Sequence, residues 1–396
     1  MVIQPKIRGF ICTNAHPVGC AEHVQEQIQY VKTHGQVSNG PKNVLVIGAS
    51  TGYGMASRIT AAFGSGAKTL GIFFEKEATE GKTGSAGWYN TAAFEQAANA
   101  EGLWNKHLNG DAFTDEIKAQ AIELIQREMG KIDLVVYSLA APRRKDPVSG
   151  EIYSSVLKPI GQAYTAKNLN TSKREIEEVS VEPANEEEIF NTVKVMGGED
   201  WERWLDQLHA AGVLADNVQT VAYTYIGKEL TWPIYGKATI GRAKEDLDRA
   251  ASAITNKLQA QKGRAYVASL KALVTQASSA IPIMPLYISL LYRVMKEEGT
   301  HEGCIEQIYG LFQQCLYNPE RQLDDAGRLR MDGKELADHI QATVTTLWQQ
   351  VETGNIDELT DYKGYHQEFL RLFGFGYSHV DYEADVSPMV SLANLA

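Results

Sequence analysis

The run Val44-Leu45-Val46-Ile47-Gly48-Ala49-Ser50-Thr51-Gly52-Tyr53-Gly54 joins four apolar residues to glycines spaced G-x-x-x-G-x-G, with a segment of helical period behind them. A buried strand that turns through glycine into a helix offers backbone N–H groups and the positive end of a helix dipole to a pyrophosphate. Gly48 to Gly54 therefore read as a dinucleotide cradle, with a plain strand-to-helix turn as the alternative. The next apolar run, Leu70-Gly71-Ile72-Phe73-Phe74, ends at Glu75, about 20 residues past the last glycine, where a ribose-binding acid belongs. A carboxylate there accepts both ribose hydroxyls and repels a 2′-phosphate, which favours NADH over NADPH. A solvated charge at a strand end is the other reading, and neighbouring Lys76 favours it. Gly110-Asp111-Ala112 and Ser138-Leu139-Ala140-Ala141 fall at carboxyl ends of strands, so Asp111 would accept from an adenine amine while small Ala140 admits the ribose.

A second group follows the run Ala222-Tyr223-Thr224-Tyr225, in Trp232-Pro233-Ile234-Tyr235-Gly236-Lys237-Ala238-Thr239-Ile240-Gly241-Arg242-Ala243-Lys244. A phenol near an ammonium is a proton donor whose transient phenolate costs less, which suits a reaction that builds charge on an oxygen. At about 100° per residue, the offset from Tyr235 to Lys244 puts the two on opposite faces of a regular helix. For them to meet, Tyr235 must precede the helix, or the helix must be irregular between Gly236 and Gly241. Taken alone, the pair reads equally as a packed aromatic and a lysine on an amphipathic helix.

These residues need a scaffold, and the chain alternates strand-like and helical runs as βαβ units do. Val44–Ile47, Thr69–Phe74, Asp133–Ser138, Val218–Tyr225 and Arg264–Leu270 are nearly continuous apolar runs, as strands covered on both faces should be. Between them, Ile117, Ala121, Leu124 and Ile125 share one helical face, and Ile240, Ala243, Leu247, Ala250, Ile254 and Leu258 share another. The expected fold is α/β: a Rossmann-type doubly wound parallel sheet in one elaborated domain. Residues 1–40, with Val24, Ile28 and Val31 in register, form an N-terminal cap. Residues 41–280 form the dinucleotide-binding core, with a charged insertion at 142–217 that contains Trp201 and Trp204, and 281–396 form a helical C-terminal extension.

Composition narrows the function. Hydrophobic residues are 44% and charged residues 22% of 396, so the chain is globular. Forty-nine acids against 38 bases leave a formal charge of −11, which disfavours nucleic acid and anionic membrane surfaces as partners. Cys12, Cys20, Cys304 and Cys315 are too scattered for a disulfide framework and fit a reducing compartment, hence the cytoplasm. The longest apolar run, Ala280–Tyr292, is broken by Pro282 and Pro285 and reads as buried core or as the wall of an apolar channel. Cys12, His16, Cys20 and His23 lack the paired spacing of structural zinc, so no metal is expected. Arg143-Arg144-Lys145 reads as a solvated loop or as a basic contact for an acidic carrier.

The Tyr-x8-Lys pair and the glycine loop are accompanied by Asn14-Ala15-His16-Pro17, Met196-Gly197-Gly198-Glu199-Asp200-Trp201 and His301-Glu302-Gly303-Cys304-Ile305-Glu306. Together they resemble the FabV-type enoyl-acyl-carrier-protein reductases and the related trans-2-enoyl-CoA reductases of the short-chain dehydrogenase superfamily, and the resemblance covers essentially the whole chain. It implies NADH-dependent reduction of a 2,3-double bond in an enoyl thioester during fatty acid biosynthesis, without flavin or metal, by a monomer. It implies Tyr235 as proton donor, Lys244 on the nicotinamide ribose, Tyr225 on the acyl substrate, and Leu273-Val274-Thr275 beside the nicotinamide. Gly48, Ala49, Ser50, Thr51, Gly52, Tyr53, Gly54, Phe74, Glu75, Asp111, Ala112, Leu139 and Ala140 complete the expected cofactor contacts. Two other classes remain. A carbonyl-reducing short-chain dehydrogenase would need a fixed Ser hydroxyl on the strand before Tyr235, where Tyr225 stands instead. A redox sensor would keep the glycine loop and dispense with Tyr235 and Lys244.

Overall fold

Continuous branched apolar runs form strands buried on both faces, and here they form one seven-stranded, fully parallel sheet. The computed structural model describes residues 1–396. Its sheet comprises β1 (Asn43–Ile47), β2 (Lys68–Phe73), β3 (Asn105–Asn109), β4 (Ile132–Tyr137), β5 (Leu214–Thr224), β6 (Arg264–Ser269) and β7 (Leu329–Arg330). The spatial order is β7-β6-β5-β4-β1-β2-β3. The strand order reverses between β1 and β4, the switch point where a doubly wound sheet opens a crevice at its carboxyl edge. Ile47 lies in register with Ile72 on one side and Tyr137 on the other, so the loops after β1, β2 and β4 emerge level with one another.

Twelve helices surround the sheet: α1 (Pro17–His34), α2 (Gly52–Ser65), α3 (Ala86–Ala100), α4 (Asp115–Leu124), α5 (Glu186–Met196), α6 (Glu199–Ala210), α7 (Thr239–Lys257), α8 (Met284–Glu297), α9 (Cys304–Gly310), α10 (Asp338–Gln350), α11 (Ile356–Leu359) and α12 (Tyr362–Arg371). One apolar layer joins α1, α2 and α9 to a sheet face through Val24, Ile28, Val31, Ile59, Ile308, Val46 and Val136. The opposite face packs on α4, α6 and α7 through Ile117, Ala121, Trp201, Trp204, Leu247 and Ile254. A third core, centred on α8 and reached by α10 and α12, stands beyond the carboxyl edge and includes Tyr235 and Leu273. The Ala280–Tyr292 run therefore packs as core: from Met284 to Tyr292 every residue is buried. No helix is long and apolar enough to cross a membrane.

The structure corrects several boundaries. The C-terminal extension is not wholly helical, because it supplies β7, and residues 372–396 contain no helix. β3 carries Asn105, Lys106, His107 and Asn109 where apolar residues are usual, and that polarity hides it from a hydrophobic pattern. The 142–217 segment forms two antiparallel ribbons (Arg143–Lys145 with Ile152–Ser154, and Tyr164–Asn170 with Glu175–Val181) before α5 and α6. Since Trp201 and Trp204 of α6 are fully buried against the sheet, α6 belongs to the core layer and not to the insertion. Arg144 is not a solvated or carrier-facing base: it is 1% exposed and bonded to Glu199 at 2.9 Å and to the Lys194 carbonyl at 2.7 Å.

The polarity of β3 has a structural use. Arg58, fully buried on α2, donates to the Lys106 carbonyl (2.8 Å) and lies 2.8 Å from His107 Nδ1, while His107 Nε2 lies 3.0 Å from Glu95. Burial first, and then the Arg58 charge, push the His107 pKa below its ordinary value, so its ring is neutral. Glu95 also accepts the backbone N–H groups of Ala393 (2.8 Å) and Asn394 (2.9 Å), and the last residues bridge to His107 along the edge of β3. A sheet edge is thereby covered. Deleting residues 393–396 leaves the Glu95 carboxylate short of two donors and should cost about 1–3 kcal/mol in urea unfolding; an unchanged midpoint would show that the tail only lies on the surface.

Candidate active site

After β1 the chain turns through Gly48, whose own N–H and that of Ala49 both donate to the Ile72 carbonyl at 2.9 Å. A Cβ at Gly54 would collide with the Gly48 carbonyl, so this glycine closes the strand onto the helix. Gly52 differs: its φ is +51°, and a Cβ there would meet nothing within 4 Å. The N-cap of α2, Thr51, makes no side-chain cap bond, and no acid stands in the first turn. The positive helix end thus faces open space at the switch point, the condition for holding a pyrophosphate. Tyr53 turns away from that space. Its hydroxyl donates to the Lys271 carbonyl at 3.0 Å and its ring packs edge-on against Tyr223, tying the glycine loop to the loop after β6.

Glu75 is placed at the end of β2 by polar bonds that the sequence pattern does not announce. The Asn109 side chain accepts from its N–H (2.8 Å) and donates to its carbonyl (3.0 Å), and Ser50 Oγ donates to its Oε1 at 2.6 Å. The acid is thus aimed back at the glycine loop. Phe74 beside it is 79% exposed, available to lie against a ligand. Asp111 spends one oxygen on the Phe113 N–H at 3.0 Å, and the Ala112 carbonyl accepts from Lys118 Nζ (2.9 Å) and Trp204 Nε1 (3.1 Å). Lys118 is itself paired at 2.8 Å with fully buried Asp200, of the Met196–Trp201 motif. Leu139 is half-buried and Ala140 exposed at the end of β4.

The helix-phase expectation holds. Tyr235 lies in the turn-rich stretch before α7, which begins at Thr239, and Lys244 lies within α7. Both point to the carboxyl end of β5. Lys244 Nζ donates to the Tyr223 carbonyl at 3.1 Å, and the Tyr235 ring meets the Tyr225 ring edge-on at 5.0 Å between centroids. Burial pushes the Tyr235 hydroxyl well above its ordinary pKa, partly opposed by a hydrogen bond to the Tyr225 backbone, so it is protonated at neutral pH. Burial also lowers Lys244 to about 8, against the charge of Asp248.

In the loop after β6, Val274 N–H donates to Tyr292 (3.1 Å) and Thr275 N–H to Ser278 Oγ (2.9 Å). The Leu273 N–H and Val274 carbonyl have no partner in the protein, which leaves one donor and one acceptor for a ligand amide. Beyond the loop lies a cavity of about 320 Å³ bounded by Phe10, Thr171, Ser279, Tyr365 and Phe369. Three buried polar side chains beside these loops escape sequence reasoning: Tyr223, whose hydroxyl meets Ser57 Oγ at 2.6 Å, Lys271 and Glu335. Only the Tyr223-Thr224-Tyr225 alternation offered a signal, for the first of them. The remaining motifs are architectural. His16 Nδ1 accepts from the Gly19 N–H to cap α1, His23 Nδ1 lies 2.9 Å from the Tyr377 hydroxyl, Cys12 Sγ contacts Asn14, and Glu306 caps α9.

The chain resembles known proteins along its whole length. A family model described as the trans-2-enoyl-CoA reductase catalytic region matches residues 82–317, and one described as the NAD(P)H binding domain of trans-2-enoyl-CoA reductase matches 2–80. A third, described as an enoyl reductase FAD binding domain, matches 323–386. The chain is 67% identical over 395 residues to an enoyl-acyl-carrier-protein reductase (NADH) of Pseudoalteromonas translucida, covering 100% of both. It is 68% identical over 391 residues to the protein of that name in Idiomarina loihiensis, covering 99% of this chain and 100% of the relative. Among solved structures, the Treponema denticola trans-2-enoyl-CoA reductase in complex with NAD superposes with a TM-score of 0.95 at 47% identity, covering 99% of this chain and 100% of that one.

The last two glycines of the loop, Gly52 and Gly54, should separate experimentally. Gly54→Ala forces the backbone of the turn apart, costing up to about 3 kcal/mol, whereas Gly52→Ala bears only the left-handed strain of about 1–2 kcal/mol. Thermal melts of the free protein should therefore rank Gly54→Ala below Gly52→Ala; the reverse order would mean that Gly54 does not close the turn.

Proposed function

The chain belongs to the family of trans-2-enoyl-CoA reductases and NADH-dependent enoyl-acyl-carrier-protein reductases, and from that premise we infer that the crevice at the switch point reduces the 2,3-double bond of trans-2-enoyl thioesters with NADH in fatty acid biosynthesis. The observation that carries the reading is Tyr235, buried and protonated ahead of α7, with Lys244 reaching the same strand end from within the helix.

The residues present fit the cofactor. Uncapped α2 and the open side of Gly52 support the pyrophosphate there, Ser50-oriented Glu75 an adenosine ribose, and Asp111 and Ala140 the adenine side. Leu273 N–H and Val274 C=O match a carboxamide's acceptor and donor, and Lys244 serves the nicotinamide ribose. When bound, NADH supplies a hydride to carbon 3 of the enoyl thioester. Negative charge then builds on the thioester oxygen, where Tyr235 donates its proton, and the enol so formed becomes the saturated thioester by taking a solvent-derived proton at carbon 2 and giving up the one on oxygen. Tyr225 packs edge-on against Tyr235 and lines the acyl side, and the cavity beyond Ser279 accommodates the far end of the chain. The carbonyl-reducing alternative is disfavoured, because Tyr225 and not a serine stands at that place.

We propose that the transfer is direct, without flavin. Segment 323–386 is an unsuitable host for a flavin pyrophosphate. Each of its helices carries acid at its positive end: Asp338 on α10, Asp357 and Glu358 on α11, and Asp361 as the cap of α12. Its buried Asp332 and Glu335 are committed to Ser269, Arg330, Tyr225 and Ala272. The family resemblance implies a monomer, and the scattered cysteines fit a reducing compartment, so we place the reaction in the cytoplasm, on an acyl-carrier-protein or coenzyme A thioester.

Turnover of crotonyl-CoA and calorimetric NADH binding test the roles together. Tyr235→Phe should lower kcat by about 10² to 10⁴ and leave NADH affinity near wild type. Lys244 is charged below its pKa of about 8 and neutral above it. NADH binding should therefore weaken as pH rises through that value in the wild type and lose that dependence in Lys244→Met. Near-normal turnover by Tyr235→Phe would remove this tyrosine as the donor.

A further inference from the structure

Glu335 lies outside every motif of the sequence, yet it is fully buried and uses both carboxylate oxygens. It follows β7, and its Oε1 accepts from the hydroxyls of Tyr225 (2.9 Å) and Tyr287 (2.7 Å) while its Oε2 accepts from the Ala272 N–H (2.6 Å). Gln341 Nε2 braces the same cluster, donating to the Tyr287 hydroxyl at 3.0 Å and to the Glu335 carbonyl at 2.8 Å. The compensating cation is Lys271, 2% exposed, whose Nζ donates to the Ala272 carbonyl at 3.0 Å and stands 4.9 Å over the Tyr292 ring. A buried carboxylate is costly unless fully hydrogen-bonded, and a residue that merely filled this space would be better apolar.

The partners give it a purpose. Tyr225 belongs to the loop after β5, which also carries Tyr235; Ala272 belongs to the loop after β6, which carries Leu273 and Val274. Glu335 is the one side chain hydrogen-bonded to both loops. The first loop carries the proton donor and the second would hold the nicotinamide that supplies the hydride, and a misplacement of about 1 Å between reacting groups costs on the order of 10²-fold in rate.

We propose that Glu335 is a positioning residue for the reduction, fixing the Tyr225–Tyr235 pair relative to the Ala272–Val274 backbone. The inference rests on the assignment of Tyr235 as donor. It also explains why Tyr225 is not a second acid: its proton is committed to Glu335.

Glu335→Gln keeps the side-chain volume but replaces one acceptor oxygen by a donor, so either the tyrosine hydroxyls must turn from donating to accepting or the Ala272 N–H loses its partner. With NADH and crotonyl-CoA, kcat should fall about 10- to 100-fold while KM for the thioester stays within about threefold. In a Tyr225→Phe background, where the link is already cut, the same substitution should reduce kcat less than about threefold further. If Glu335→Gln fails to fold because Lys271 is left unpaired, Glu335→Gln/Lys271→Met removes both buried charges and carries the same comparison. Unchanged kcat, or losses that multiply independently of Tyr225, would overturn the proposal. A wild-type protein that does not oxidise NADH with crotonyl-CoA would instead refute the proposed function.

Discussion

An α-helix turns about 100° per residue, so two side chains nine residues apart cannot act on one cofactor from a single regular helix. Much of the structure around α7 answers that constraint. The helix starts at Thr239, and the start is fixed from outside: the Thr239 N–H donates to the Lys158 carbonyl at 3.0 Å and its hydroxyl to the Val156 carbonyl at 2.5 Å. Pro159 bridges to Ala238 in the same place. Thr239 is fully buried by these contacts. The 142–198 insertion therefore pins the point where helix gives way to turn, which decides where Tyr235 stands relative to Lys244. A Cβ at Gly198 would collide with Ala250 of α7, so the insertion also presses the helix close to α6.

The two sides of the sheet's carboxyl edge are held by different means. On the side of β1 and β2, glycines and an uncapped helix end keep space open, and Glu75 is steered by Ser50 and Asn109. On the side of β5 and β6, the buried Glu335 carboxylate, with both oxygens hydrogen-bonded, draws the loops together beside the Lys271 cation. The C-terminal segment supplies Glu335 and the β7 edge, while the final residues protect the β3 edge through Glu95. Residues distant in sequence thus govern both ends of the sheet, and the crevice lies between them.

Most of the scaffold is legible in the sequence because it rests on periodicity. Branched apolar runs mark five strands, and Ile117 to Ile125 and Ile240 to Leu258 mark the helices that cover them. The glycine loop was legible because its spacing has a direct geometric meaning, whereas the Tyr235–Lys244 pair was ambiguous on its own and took its expected roles from the family resemblance. What was not legible rests on polar contacts between distant segments. β3 looks unlike a strand because His107 serves the Arg58–Glu95 network, and Arg144 looks like surface charge because its partner Glu199 is far along the chain. Glu335 carries no local signal, since its partners come from three separate loops and helices.

The central claim is that hydride passes directly to the substrate within the crevice, with a solvent-derived proton completing the reduction. It is tested by reducing crotonyl-CoA with NADH deuterated at both C4 positions in ordinary water, then locating the label in the butyryl product by NMR. Direct transfer places one deuterium on carbon 3 of each product molecule and none on carbon 2. Loss of that deuterium to solvent, with carbon 3 carrying hydrogen, would reveal an exchangeable intermediate carrier and contradict the account.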